Sequence, residues 1–211
     1  MPWFEPDSGA PVAAESIELS AGSRLWRIHS DDFAAGSFNR TVPGPHRGGR
    51  FDSYDGSYAY LYAGADTTAA VAETLLRDRP PSGHTFRIPA ARLYAIRLSS
   101  LVVRHDLTLV RLHGSGLSAI GQDAWLTSCG ADEYGRTRQW AAALRAWAPW
   151  AQGLEWRARH DDDRLAYVFF EDRCSDAGFG VATTYACDRP GLGFHLVRRA
   201  AARHHAVVRL V

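Results

Sequence analysis

LWRIHS (residues 25–30), GGRFDSYDGSYAYLYAG (48–64) and DTTAAVAETLLR (66–77) decide how this chain is read. Short alternation from Arg24 to His29 predicts a strand. The segment from Phe38 to Gly49, which holds Pro43, Gly44, Pro45, Gly48 and Gly49, predicts a long loop with Arg50 at its end. Ser57 to Tyr62 is aromatic and strand-like, and Gly64 breaks it. Asp66 or Thr67 then caps a helix whose spacing runs through Arg79, before Pro80 and Pro81 stop it.

Outward from that stretch, Leu93 to Leu98 and Leu101 to Leu112 read as strands, with a turn at Arg104, His105 and Asp106 inside the second. Tyr134, Thr137, Trp140, Leu144 and Trp147 recur at spacings of three and four, which predicts an amphipathic helix from Glu133 to Ala148 ended by Pro149. Leu154 to Arg159 and Leu165 to Phe170 flank Asp161, Asp162 and Asp163 as a β-hairpin. A helix from about Gly193 to Arg203 and a strand from Ala206 to Val211 follow. Residues 1–22, with Pro2, Pro6, Gly9 and Pro11, read as an extended lead-in, and residues 23–211 as one domain. Hairpins with segregated helices point to an α+β fold of compact mixed or antiparallel sheets with flanking helices.

Composition removes several function classes. Twenty-four Lys plus Arg, all of them arginine, stand against 23 Asp plus Glu for a net charge of +1, so no polyanion-binding surface is indicated. Direct nucleic-acid binding is not expected, since the seven tryptophans have no accompanying basic stripe. Cys129, Cys174 and Cys187 are odd in number and lack CxxC spacing, which argues against a disulfide framework and against a zinc knuckle. No basic start followed by an apolar run opens the chain, and no apolar stretch approaches roughly 18 residues. A soluble cytoplasmic protein without a metal cofactor is the expectation, with homo-oligomerisation left open.

The order LWRI, GGRFD, YLYAGADTTAAVAETLL, TRQWA, GLEWRAR and LAYVFF resembles the RES domain family, named for Arg, Glu and Ser motif residues. The likeness runs from about Leu25 to Phe170 and is strongest from Arg50 through Glu73, while Gly191 to Val211 looks like the family's closing helix and strand. It implies a fold similar to ADP-ribosyltransferases and the activity of a bacterial toxin that consumes NAD by hydrolysis or phosphorolysis of the nicotinamide–ribose bond. A helix-turn-helix antitoxin is the implied partner, expected to occlude the pocket. By position Arg27 matches the family's first arginine, Arg50 the arginine after the Gly-rich loop, Tyr62 the strand tyrosine and Glu73 the helix glutamate. The serine is the departure, because Ala158 stands in its place. Two alternatives follow: transfer of ADP-ribose to a protein, or a catalytically weakened relative that binds NAD or its antitoxin.

The chemistry suits these side chains. Breaking the glycosidic bond of NAD builds an oxocarbenium-like cation that a carboxylate such as Glu73 stabilises. The ordinary alternative for Glu73 is an exposed helix residue paired with Arg77 at i+4. Arg27 and Arg50 offer bidentate forks for the pyrophosphate or the ribose edge, against the ordinary fate of solvated strand arginines. Tyr62 is the candidate to stack on a base, with Phe51 and Tyr54 as lesser candidates for the pocket lining. A lost serine hydroxyl removes about 1 kcal/mol net, and Ser128 is a candidate substitute. His160 with Asp161 to Asp163 reads as turn polarity, His204 and His205 as a helix end, and HGSGLSAIG lacks the Lys and Ser or Thr of a P-loop.

Overall fold

The computed structural model describes residues 5–6, 13–41, 48–77, 79, 84–174 and 178–210. Residues 1–4 and 7–12 of the expected lead-in, residues 42–47 of the Pro- and Gly-rich loop, and Pro80 and Pro81 lie outside the described residues. The chain runs β1 (Ser16–Leu19), β2 (Arg24–Ser30), β3 (Tyr60–Gly64), α1 (Thr67–Thr74), β4 (Phe86–Ile88), β5 (Ile96–Val103) and β6 (Leu107–Leu112). There follow α2 (Ser115–Ala119), α3 (Trp125–Ser128), α4 (Tyr134–Trp147), β7 (Gly153–Ala158), β8 (Asp161–Phe170), β9 (Phe179–Ala186), α5 (Leu192–Arg203) and β10 (Ala206–Val208). Eight strands form one mixed sheet in the order β1-β6-β7-β8-β3-β2-β5-β9, and β10 pairs with β4 in a second sheet. The β6–β7 and β10–β4 pairs are parallel, and the other registered pairs are antiparallel. A large mixed sheet with flanking helices is therefore the architecture.

Three apolar clusters hold these layers. Under α4, Trp140 and Leu144 pack with Trp156, Phe170 and Phe51; another cluster gathers Leu25, Leu61, Leu109 and Phe169; the third joins Val71, Leu76, Leu98 and Val197. Burying each large apolar side chain contributes about 1.5–3 kcal/mol. The stripe read at three- and four-residue spacing is the buried face of α4, where Tyr134, Thr137, Trp140, Ala141 and Leu144 turn inward.

Several boundaries differ from the sequence reading. β1 begins at Ser16, inside the expected lead-in, because the strand pairs with β6 from Ser16↔Val110 to Leu19↔Leu107. α1 ends at Thr74 rather than Arg79: Leu75 and Leu76 are both buried, and the Leu76 N–H reaches back to the Val71 carbonyl at 3.2 Å. The residues after the break at Arg104 to Asp106 do not pair with the strand before it. β5 and β6 are not neighbours in the strand order, so the short connection is not a hairpin. Asp161 to Asp163 open β8 instead of forming the turn, which falls at Arg159 and His160. The Gly-rich HGSGLSAIG segment forms the short helix α2, and β9 is a strand that the sequence reading passed over.

Two local features place the site. Asp66 caps α1, its Oδ1 accepting the Ala69 N–H at 2.8 Å, a bond contributing about 1 kcal/mol. Gly64 ends β3 where that helix passes close by: a Cβ there would meet the Ala70 nitrogen at 2.6 Å and the Ala69 Cβ at 2.7 Å. Gly64→Ala is accordingly expected to lower unfolding free energy by about 1–3 kcal/mol, read as a fall in the denaturant midpoint with unchanged slope.

Candidate functional site

β2 and β3 are neighbours in the sheet, yet their only registered pair is Trp26↔Gly64. Beyond that pair the two strands separate, and a cavity of about 240 Å³ opens beside them. Its walls include Arg27 and Ile28 from β2, Tyr60 and Tyr62 from β3, and Glu73, Thr74 and Arg77 from α1 and the turn after it. Asn39, the turn Gly48-Gly49-Arg50, and Tyr134 complete the lining. Arg27, Arg50, Tyr62 and Glu73, distant in sequence, therefore face one space.

The turn carrying Arg50 is built around a buried carboxylate. Asp52 is 1% exposed; its Oδ2 accepts the Gly49 N–H at 2.7 Å and its Oδ1 accepts the Tyr62 hydroxyl at 2.9 Å. Tyr62 in turn accepts the Phe51 N–H at 2.8 Å. Arg138 of α4 stands 3.9 Å from Asp52 and donates through Nε to the Gly49 carbonyl at 3.1 Å. Side chains are excluded at both glycines: a Cβ on Gly48, whose φ is +99°, would lie 2.1 Å from Asp52 Oδ2, and one on Gly49 would lie 2.7 Å from the Tyr62 hydroxyl.

Arg50 is 3% exposed. Its Nη1 donates to the Cys129 carbonyl at 3.1 Å and lies 3.2 Å from the Cys129 sulfur. Thr137 Oγ1 donates to the Arg50 carbonyl at 2.6 Å, and the guanidinium carbon lies 5.2 Å from the centre of the Tyr134 ring. Arg50 Nε and Nη2 are buried with no hydrogen-bond partner among the described residues. A buried guanidinium with idle donors is costly unless an acceptor reaches it, and these two nitrogens are free to take one from the cleft. Arg77 donates to the Gly48 carbonyl at 3.2 Å, and its guanidinium carbon lies 5.9 Å from the same Tyr134 ring.

Arg27 is equally buried but differently employed. Its Nη1 donates to the carbonyls of Ala35 at 2.8 Å and Ser37 at 2.6 Å, and its Nη2 to Asn39 Oδ1 at 3.2 Å. Burial lowers its pKa from the usual arginine value to about 10. Glu73 is half-buried, and its Oε1 accepts the backbone N–H of Arg159 at 2.7 Å. That bond fixes a carboxylate oxygen beside the cavity, so Glu73 is not the solvated surface residue of the ordinary alternative.

Phe51 is fully buried, edge-on to Trp156 at 5.1 Å, and does not line the cavity. Tyr54 is 56% exposed and also lies outside the lining. Neither forms the pocket wall the sequence suggested; Phe51 contributes its N–H to Tyr62 instead. Ser128 bonds the Ala124 carbonyl at 2.6 Å and is not part of the wall. Ala158 is fully buried in β7, one residue before the N–H that holds Glu73. Sequence reasoning missed Asp52, Asn39 and Tyr134. The spacing of Tyr134, Thr137 and Arg138, on one face of α4, was the available signal for the last of these.

Comparisons with known proteins agree with this picture. A protein-family model described as the RES domain matches residues 24–189. Among solved structures, the chain is similar to one in the crystal structure of the M. tuberculosis MbcT-MbcA toxin-antitoxin complex, with 18% identity, a TM-score of 0.61, and coverage of 89% of this chain and 92% of that one. At that identity the likeness concerns the fold. No curated protein matches.

Two outcomes follow from this geometry. Asp52→Ala leaves the Gly49 N–H and the Tyr62 hydroxyl without their acceptor, and is expected to cost about 3 kcal/mol or more by denaturant titration. Burial, the largest cause in each case, raises the hydroxyl pKa of Tyr58, Tyr60, Tyr62, Tyr134 and Tyr167 above the usual 10. A folded value above the unfolded one adds stability that is complete below about pH 10 and is lost as the pH climbs toward the folded values. Spectrophotometric titration should show these five phenols ionising above the usual pH 10 while the protein is folded; normal titration near pH 10 in the folded protein would contradict their burial.

Proposed function

Since the chain belongs to the RES domain family, we propose that it is an NAD-consuming enzyme cleaving the nicotinamide–ribose bond. The observation that carries this reading is the convergence of Glu73, Arg50, Arg27 and Tyr62 on one cavity, with two donors of Arg50 unpartnered. Those walls fit the ligand's parts. Buried guanidinium donors suit a pyrophosphate or ribose oxygen, tyrosine faces suit a flat ring, and 240 Å³ lies just below the roughly 300 Å³ of small ligand pockets. The described walls thus accommodate one end of a dinucleotide.

In the reaction, the bond between ribose C1′ and the pyridinium nitrogen breaks, and its electron pair neutralises the departing nicotinamide. Positive charge develops on C1′ and the ring oxygen, where the Glu73 carboxylate stabilises it. Water or inorganic phosphate then adds to C1′, giving ADP-ribose or its 1″-phosphate and releasing a proton. Arg50 binds the anionic portion, and Tyr62, held neutral by burial and by the Asp52 carboxylate, packs beside the ring. The Arg159 N–H keeps Glu73 in place without a serine at position 158, which favours a working enzyme over a purely binding relative. Toxin action by NAD depletion in the cytoplasm, and neutralisation by an antitoxin segment that covers the cleft, complete the proposal. The solved relative in a toxin-antitoxin complex supports that part.

Chromatography of NAD incubated with the protein, with and without phosphate, tests it. Nicotinamide release with ADP-ribose or phosphorylated ADP-ribose is expected, and Glu73→Gln should slow it by about 10²–10⁴-fold while preserving the fold. ADP-ribose recovered only on a protein acceptor would favour the transferase reading, and intact NAD after long incubation would reject cleavage.

A further inference from the structure

Arg27 and Arg50 carry the same charge into the same cavity, but their hydrogen-bond inventories differ. Three N–H bonds of Arg27 are committed to Ala35, Ser37 and Asn39, whereas Arg50 retains two nitrogens without a partner. The acceptors of Arg27 all belong to one short segment after β2. Arg27 therefore pins that segment against the sheet.

Asn39 is the member of the segment that reaches the cavity wall. Its backbone is locked by a two-way bridge to Tyr60, with N–H to carbonyl distances of 2.8 and 2.9 Å. Its side chain is oriented by chemistry: a guanidinium has donors alone, so the atom facing Arg27 Nη2 must be the amide oxygen. The Asn39 NH₂ group then points away from Arg27 with its donors uncommitted, since no described residue accepts from it. A neutral donor held on both sides suits a neutral acceptor, unlike the cationic Arg50 corner. Ile28, Tyr60 and Tyr62 near it present apolar and aromatic surface for a flat ring.

We propose that Asn39 is a specificity residue that donates its amide N–H to the carboxamide oxygen of the nicotinamide, and that Arg27 is a positioning residue that holds Asn39 for this task. The assignment rests on the NAD reading above and divides the work within it. Arg50 reads the anionic part of the ligand and Asn39 the uncharged leaving group.

Two replacements of Asn39 separate the roles. Asn39→Ala removes both the acceptor for Arg27 and the donor to the ligand. Its thermal midpoint should fall, and KM for NAD should rise about tenfold with kcat within about twofold, the pattern of lost ground-state binding. Asn39→Asp restores an acceptor for Arg27 but presents no donor to the ligand. It should recover the thermal midpoint and leave KM high, while inhibition by ADP-ribose, which lacks the carboxamide, stays within about twofold of wild type. Recovery of KM together with stability would show that Asn39 merely satisfies Arg27 and would overturn the proposal. An equal weakening of ADP-ribose would assign the effect to the added charge and overturn it as well. For Arg27, the Arg27→Ala/Asn39→Ala pair should have a KM no higher than Arg27→Ala alone; additive losses would show direct contact of Arg27 with NAD and end its assignment as a positioning residue. Wild-type protein that leaves NAD intact removes the underlying reading, a result distinct from each of these.

Discussion

The carboxylate of Asp52, 1% exposed, takes the Gly49 N–H on one oxygen and the Tyr62 hydroxyl on the other. Hydrogen bonds to a charged acceptor contribute about 1.5–3 kcal/mol each, and Arg138 at 3.9 Å offsets part of the cost of burying the charge. Because both oxygens are crowded by backbone, positions 48 and 49 admit only glycine. The turn that results aims Arg50 into the cleft, ties it to β3 through Tyr62, and brings it under Thr137 and Tyr134 of α4. One buried acid thus couples the loop, the sheet and the long helix at the point where the pocket forms.

The second constraint is the parting of β2 and β3 after a single registered pair. A continuous ladder there would close the sheet across the cleft. Asn39 instead occupies the gap beside Tyr60, and Arg27 fills the space behind it with three hydrogen bonds to the segment it anchors. α1 then supplies the carboxylate from the other direction. Its start is set by the Asp66 cap, and the orientation of Glu73 near its end is set by the backbone of Arg159. The position of Glu73 is therefore set by a helix cap and by one backbone N–H, which suits the proposed reaction, where charge must be in place before the transition state arrives.

Much of this was legible in the residues because it is local. Alternation marked β2, three- and four-residue spacing marked α4 within one residue at either end, and Asp66 marked the start of α1. Arg27, Arg50, Tyr62 and Glu73 stood out through motif order, and the structure places all four around one cavity. Features set by distant partners were not legible. β1 is a strand only because β6 lies alongside, and α1 stops early only because Leu75 and Leu76 are both drawn into the core. Phe51 looked available for a ligand but is claimed by Trp156, and Tyr54 two residues beyond Asp52 faces solvent. Asp52 itself resembles any loop acid until its contacts with Tyr62 and Arg138 are known.

The most direct test is a crystal structure of the Glu73→Gln protein with intact NAD. The nicotinamide ribose is expected inside the cleft, with C1′ facing residue 73 and an oxygen of the anionic portion within hydrogen-bond distance of Arg50 Nε or Nη2. A dinucleotide bound elsewhere on the protein, with those two nitrogens still lacking an acceptor, would contradict it.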